Sequence, residues 1–242
     1  MAMDCASRSK IADVYVENGR VVKLFKEHVP KRRVLGEALN HTIVEEAKIN
    51  VPELREISLI DGRWALIMDY VEGQTYNDLI FLNPDKKEEL VEEFVDIQIE
   101  IHVARVEGLD SLYEKLSSLI NSNPELDDVN KYELLARLEG MPKHTKLCHM
   151  NYNFNNVIKN EKEVFILEWE NALLGNASAD VANTYLILRM ENEELAELYL
   201  SKFCEFTCTP KAYVQKWLPI VAASMHGKKD KFHDLINVVE YY

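Results

Sequence analysis

The sequence has no long apolar run. None of its hydrophobic stretches approaches the roughly 20 residues that a membrane-spanning helix needs, so no membrane partner is expected. Residues Met1 to Lys10 hold no apolar signal core, and the protein is expected in the cytoplasm. Cysteine is scarce, with four residues (Cys5, Cys148, Cys204, Cys208) in a chain of 242, as in a reducing compartment. Cys204 and Cys208 stand at i, i+4 and could share a helix face. No second Cys or His pair stands at ligand spacing, so they read as ordinary thiols. Positive charge is in deficit: 28 Lys and Arg against 41 Asp and Glu give a net charge of −13. That argues against nucleic acid as a partner and is compatible with a cationic small molecule. There is no internal repeat, no low-complexity tract and no long linker. A hydrophobic content of 47% in a chain of this length can bury a large core, as one bilobed domain or two small ones.

Ile11 to Val16 alternates like a strand, Asn18-Gly19 is a two-residue hairpin turn, and Arg20 to Phe25 returns. The alternation sets Val21, Lys23 and Phe25 on one face. A lysine within such a strand is either an edge-strand charge or an ammonium held for a ligand. After Pro30, Lys31 to Lys48 reads as a helix with an apolar stripe of Leu35, Ala38, Leu39, Ile43 and Ala47. Glu37, His41 and Glu45 form an adjoining stripe, and a Lys23–Glu37 pair is conceivable, with Glu45 the rival partner. Val51-Pro52 stops the helix. Leu54 to Leu59 and Trp64 to Val71 are strands joined by Asp61-Gly62. The order to this point is β-β-α-β-β.

Glu72-Gly73-Gln74 reads as a hinge, beyond which the chain turns helical. Helices are expected over 76–81, 86–106, 109–119, 129–138, 179–190, 192–207, 210–224 and 230–239. Between them lies a polar loop, Leu147 to Ile158, followed by a returning strand Val164 to Leu167 and then Glu168. His149-x-Asn151-x-x-x-x-Asn156, with a carboxylate twelve residues further on, has the layout of a kinase-type phosphotransfer site. Two positions depart from it. Asn151 stands where the base Asp belongs, and Glu168 where the metal-binding Asp belongs.

Taken in order, these segments resemble the aminoglycoside phosphotransferase and choline kinase-like family. Ala12-Asp13-Val14-Tyr15 and Val22-Lys23-Leu24-Phe25 are similar to its first hairpin and ATP lysine. Gly36-Glu37-Ala38 is similar to the start of the helix carrying the lysine's partner. Ile67-Met68-Asp69-Tyr70-Val71-Glu72-Gly73 resembles the adenine hinge, His149 to Ile158 the catalytic loop, and Ile166-Leu167-Glu168-Trp169-Glu170-Asn171-Ala172 the metal-binding strand end. Gly175 to Tyr185 resembles the segment that follows. The resemblance runs through nearly the whole chain. It implies an α+β, protein-kinase-like bilobal fold: a small mixed β-sheet N-lobe over 1–71 that binds nucleotide, and a mainly helical C-lobe over 72–242 with the catalytic-type loop and acceptor site.

The same resemblance implies roles. Lys23 would reach the α- and β-phosphates of ATP, oriented by Glu37. Met68, Asp69 and Tyr70 would border the adenine. Residues Ser7 to Ile11 would cover the phosphates without a glycine, Ser7 and Ser9 offering hydroxyls instead. Asn156 and Glu168 would ligate Mg²⁺, with Glu170 either an assistant or a surface carboxylate. Asn151 would stand at the acceptor hydroxyl, His149 would hold the loop's shape or act as base, and Asp180 would anchor the loop backbone.

Two functions stay open on sequence alone, beside a degenerate fold that binds no nucleotide. One is a small-molecule kinase that transfers the ATP γ-phosphoryl to a substrate hydroxyl. The other is a pseudokinase that binds a nucleotide, metabolite or protein partner without efficient turnover. A carboxamide at 151 cannot take a proton near neutral pH, yet phosphoryl transfer depends mainly on positioning and charge neutralisation.

Overall fold

A computed structural model of the chain describes residues 4–225 together with Gly227, Lys231, Phe232 and Leu235. The helix expected over 230–239 falls largely outside them. In chain order the strands and helices are β1 (Asp4–Arg8), β2 (Ala12–Glu17), β3 (Arg20–Phe25), α1 (Lys31–Glu46), β4 (Leu54–Ile60), β5 (Arg63–Asp69), β6 (Gln74–Thr75), α2 (Tyr76–Leu82), α3 (Lys87–Val103), α4 (Leu112–Ser122) and α5 (Asp128–Glu139). They continue as β7 (Lys146–Cys148), β8 (Val157–Lys159), β9 (Val164–Ile166), β10 (Leu173–Gly175), α6 (Ala177–Glu191), α7 (Glu193–Thr207), α8 (Lys211–Gln215) and α9 (Leu218–Ser224). No helix among the described residues is long and apolar enough to cross a membrane.

Contacts divide the chain into two units. One is Met1–Asp78 with Asn155–Asn171, and the other is Leu79–Phe154 with Ala172–Tyr242. The sequence placed a single boundary after Val71. In the structure the segment 155–171 belongs with the first unit, because β8 pairs with β6 and the Ile166 N–H donates to Asn50 O at 2.9 Å. Gly73 sits at this crossing. A Cβ there would lie 2.6 Å from Lys159 O and 2.7 Å from Ile158 Cγ2, so only glycine fits.

The first unit is built on an antiparallel sheet in the order β1-β2-β3-β5-β4. Both turns foreseen in the sequence form with positive φ at each central residue: 51° and 71° at Asn18-Gly19, and 49° and 80° at Asp61-Gly62. Strand alternation gives the sheet two apolar faces. Phe25, Ala12 and Leu66 pack on Val29, Val34 and Ala38 on one side, and Val22, Leu24 and Ala65 cluster on the other. Phe25 is fully buried, which contributes about 1.5–3 kcal/mol. The same alternation puts Lys23 on the Phe25 side, with α1.

Helix α1 docks by a different face from the one its leucines suggest. Its buried residues are Val34, Glu37, Ala38, His41 and Val44, whereas Leu35 and Leu39 are 40% and 57% exposed. The physical reason is polar. Glu37 meets Lys23, and the His41 Nε2–H donates to Pro52 O at 2.7 Å. Both partners lie on other elements, so they rotate the helix away from its leucine stripe.

The second unit is helical apart from the antiparallel pair β7–β10. Side-chain N-caps start four of its helices: Ser111 for α4, Asp127 for α5, Asn176 for α6 and Asn192 for α7. Residues Ser178 to Leu186 of α6 are all buried, so this helix forms the centre of the unit. Phe94 of α3 stacks on Tyr152 with ring centroids 4.2 Å apart, and the Tyr152 hydroxyl donates to Phe94 O.

Candidate functional site

In the first unit, four charged side chains from three elements converge. Lys23 of β3 places its ammonium 2.6 Å from Glu37 Oε1 of α1, 2.7 Å from Glu168 Oε2 and 3.9 Å from Glu170 Oε2. Glu168 follows β9, and Glu170 lies on a 3-10 turn over Trp169–Asn171. That turn is held against α1 by the Asn40 amide, which donates to Glu170 O, and by buried Trp169, whose Nε1–H donates to Ile166 O. One carboxylate oxygen each of Glu37 and Glu170 is buried without a hydrogen-bond partner. Ligand oxygens of Glu37, Glu168 and Glu170 lie within 4.8 Å of one another. Spare buried carboxylate lone pairs in an all-oxygen set suit a hard divalent cation such as Mg²⁺.

The electrostatics follow from this crowding. Burial pulls the Lys23 ammonium down, but Glu168, Glu37 and Glu170 outweigh burial and hold it above its ordinary value. Burial pushes the Glu37 carboxyl up to about 7, Glu170 and Glu168 adding to the rise against the opposing pull of Lys23. Burial also lowers His41, which keeps its ring neutral.

A cavity of about 270 Å³ adjoins this cluster within the same unit. Glu37 and Glu168 line it, with Val14, Val21 and Leu66 of the sheet and the Met68, Asp69, Tyr70 and Val71 segment. Asp69 is fixed by ion pairs to Arg20 and Arg55. Asn156 is partly buried, and its carbonyl accepts the Leu167 N–H at 2.8 Å, one residue before Glu168. Ser9 lies in the β1–β2 turn. Its Oγ accepts the N–H groups of Ala12 and Ile11 and donates to Ala12 O, so the hydroxyl is engaged within its own loop.

His149 and Asn151 belong to the second unit. His149 is fully buried, and its Nδ1 accepts the Asn151 N–H at 3.2 Å. Asn153 donates its amide to Asn151 O at 2.9 Å, as a loop asparagine does. Asp180 of α6 accepts the Met150 N–H at 2.6 Å, so α6 holds the loop backbone directly. Met150 and Glu168 both carry positive φ, 56° and 63°. Such strain in residues with a Cβ persists only where the surroundings over-determine it, and it concentrates at functional positions.

The sequence signalled Lys23, Glu37 and Glu168 by position. Glu170 was visible only as the second acid of Glu-Trp-Glu, where a surface carboxylate was the favoured reading. Gln98 and His102 were missed, although a polar pair at i, i+4 interrupts the apolar stripe of α3.

The sequence profile of the phosphotransferase enzyme family matches residues 12–209. The chain belongs to that family. Its fold is shared with protein-kinase-like structures of aminoglycoside phosphotransferases and their relatives. A thermostable mutant of aminoglycoside phosphotransferase APH(4)-Ia superposes with a TM-score of 0.70 at 14% identity, over 98% of this chain and 90% of that one. A choline/ethanolamine kinase family protein from Mesorhizobium loti gives 0.63 at 13% identity, over 93% and 77%. An amicoumacin kinase in complex with AMP-PNP, Ca²⁺ and amicoumacin gives 0.64 at 11% identity, over 92% and 79%. No curated protein matches the chain in sequence.

Proposed function

We propose that the protein is an ATP- and Mg²⁺-dependent small-molecule kinase that transfers the γ-phosphoryl of ATP to a substrate hydroxyl. The observation that carries the reading is the buried Lys23 ammonium between Glu37 and Glu168, beside a cavity bordered by the Met68–Val71 segment. Family membership and the nucleotide analogue in the amicoumacin kinase structure support it.

In this reading the apolar cavity takes the adenine. Lys23 neutralises and aligns the polyphosphate, and Glu37 orients the ammonium. Asn156 and Glu168 hold the metal, with Glu170 on the same side. A divalent cation held there would supply positive charge to offset the negative charge of the phosphates. Asn151 orients the acceptor hydroxyl by accepting its hydrogen bond, and His149 keeps the loop in shape. Without a carboxylate at 151 the proton leaves late, to the phosphate or to solvent, which suits a loose transition state. The acceptor is a small hydroxyl-bearing metabolite, and the net charge of −13 favours a cationic one.

One observation favours the second reading, a pseudokinase that binds without efficient turnover. The glycine-free loop uses the N–H groups of Ile11 and Ala12 on its own Ser9 hydroxyl rather than leaving them for phosphate. Calorimetric titration of ATP with and without Mg²⁺, followed by turnover with a mixture of amino alcohols and amino sugars, separates the two. Binding with turnover supports the kinase. Binding without turnover supports the pseudokinase. A protein that does neither sinks the kinase and the nucleotide-binding pseudokinase, and leaves only binding of a metabolite or protein partner.

A further inference from the structure

Near the Lys146 end of β7, the second unit holds a cavity that the reaction described above does not use. Its volume is about 430 Å³, in the range of small-molecule sites. Leu109, Leu112, Met141 and Leu174 give it an apolar lining, together with the indole of Trp217. Trp217 is 3% exposed, and its Nε1–H is buried with no hydrogen-bond partner among the described residues. A buried indole N–H ordinarily finds an acceptor, because it has given up its water. Here the unmet donor belongs to a cavity wall.

Two helices begin at the same cavity. Ser111 caps the 11-residue α4, Asn176 caps the 15-residue α6, and both line the space. The positive ends of two backbone dipoles therefore lie at its wall. The wall is pinned from several sides. The Leu174 N–H donates to Asp110 O at 2.8 Å, and the Asn176 amide donates to Pro142 O at 3.1 Å and to the Tyr213 hydroxyl at 2.8 Å. Around the mouth the charge runs against that of the whole chain, which is −13. Lys143 and His144 line both the cavity and the open shelf beside it, where Arg105 and Lys146 join them. Three permanent cations there face two acids, Glu107 and Glu114. The Lys143 ammonium is held 4.1 Å over the Tyr113 ring and 3.3 Å from Glu139, while Arg105 and Lys146 have no ion-pair partner among the described residues.

The geometry points to a binding site for a small organic anion, a carboxylate or a phosphate monoester carried on an apolar or aromatic body. The body rests on Leu112, Met141 and Trp217, and the indole N–H donates to a ligand oxygen. The anionic group lies toward Lys143, where a charge-assisted bond and the two helix starts favour it. None of these residues belongs to the Lys23 cluster or to the 149–156 loop, so the site stands whether or not the protein is a kinase.

The test uses the full chain labelled with nitrogen-15 in its three tryptophans, Trp64, Trp169 and Trp217. Each indole N–H signal is assigned through its own backbone. Benzoate and phenyl phosphate are the probes, with benzyl alcohol as the neutral control and inorganic phosphate as the bare anion. The expected result is a saturable shift of the Trp217 signal alone, with a dissociation constant below about 1 mM for at least one probe. Lys143 is exposed, so Lys143→Gln is expected to fold, and it weakens binding at least about tenfold. A response to benzoate alone supports the proposal with a carboxylate ligand, and a response to phenyl phosphate alone supports it with a phosphate monoester. Benzyl alcohol or inorganic phosphate binding as tightly as the probes overturns it, as does undiminished binding in Lys143→Gln. A shift at Trp169 instead of Trp217 moves the anion to the Lys23 cluster and overturns it. So does the absence of any saturable shift up to about 10 mM.

Discussion

Lys23 and Glu37 meet at 2.6 Å with less than a tenth of either side chain exposed. Strand β3 and helix α1 are thereby locked at one point, and the ammonium is left with Glu168 and Glu170 as further neighbours. Charge balance at that point bears on stability and, in the kinase reading, on nucleotide binding.

Lys23→Ala leaves three carboxylates facing one another. Removing one partner of a buried pair costs about 3–5 kcal/mol, an amount that protonation of Glu37 can reduce. The variant is expected to melt earlier than wild type, and by more at pH 8 than at pH 6. In the kinase reading it also loses at least about tenfold in ATP affinity, since a phosphate contact by a cation is gone. Glu168→Gln is expected to abolish only the Mg²⁺-dependent part of that affinity. Calorimetry with and without Mg²⁺ checks both, and metal-dependent binding that survives Glu168→Gln would remove Glu168 from the ligand set.

Glu37 gives the fold a pH dependence of stated sign. Its carboxyl rises from 4.5 to about 7 on folding. Between those values the folded chain holds a proton that the unfolded chain has released, so stability falls as pH rises through this window. The stabilising contribution is complete below about pH 4.5 and lost above about 7. Glu37→Gln removes the slope. Denaturant unfolding of both proteins at pH 5 and pH 8 measures it, and parallel behaviour of the two would contradict the assignment.

Asn151→Asp supplies a proton acceptor. Under the kinase reading, kcat rises by about 10²–10⁴ while ATP affinity is unchanged. Under the pseudokinase reading, turnover appears where there was none. A variant that binds ATP with Mg²⁺ and shows no gain in turnover would mean that position 151 is not at the acceptor.

Two glycines are expected to respond differently to alanine. Gly73→Ala drives a Cβ to within 2.6 Å of the Lys159 carbonyl, so backbone must move, at a cost of about 1–3 kcal/mol. Gly19→Ala meets nothing within 4 Å and costs only the left-handed conformation at φ 71°, about 1 kcal/mol. Chemical denaturation midpoints separate the two, and equal losses would mean that the β6–β8 crossing yields without strain.

What the sequence determined alone is what depends on near neighbours along the chain. Asn18-Gly19 and Asp61-Gly62 specify their turns because the required positive φ belongs to those residues themselves. The alternation in β3 set Lys23 on the side of Phe25, and the ordered motifs were enough to identify the family. The tertiary structure decided the rest. It chose the buried face of α1 against the pattern of Leu35 and Leu39, because the partners of Glu37 and His41 stand on β3 and at Pro52. It brought Glu170 to Lys23 by hanging the 169–171 turn from Asn40. It gathered Gln98 and His102 of α3 and Tyr199 of α7 around Asp180 of α6. Periodicity registers which residues of a helix share a face. It carries no information about which polar group on a distant element makes burying a charged face cheaper than burying an apolar one.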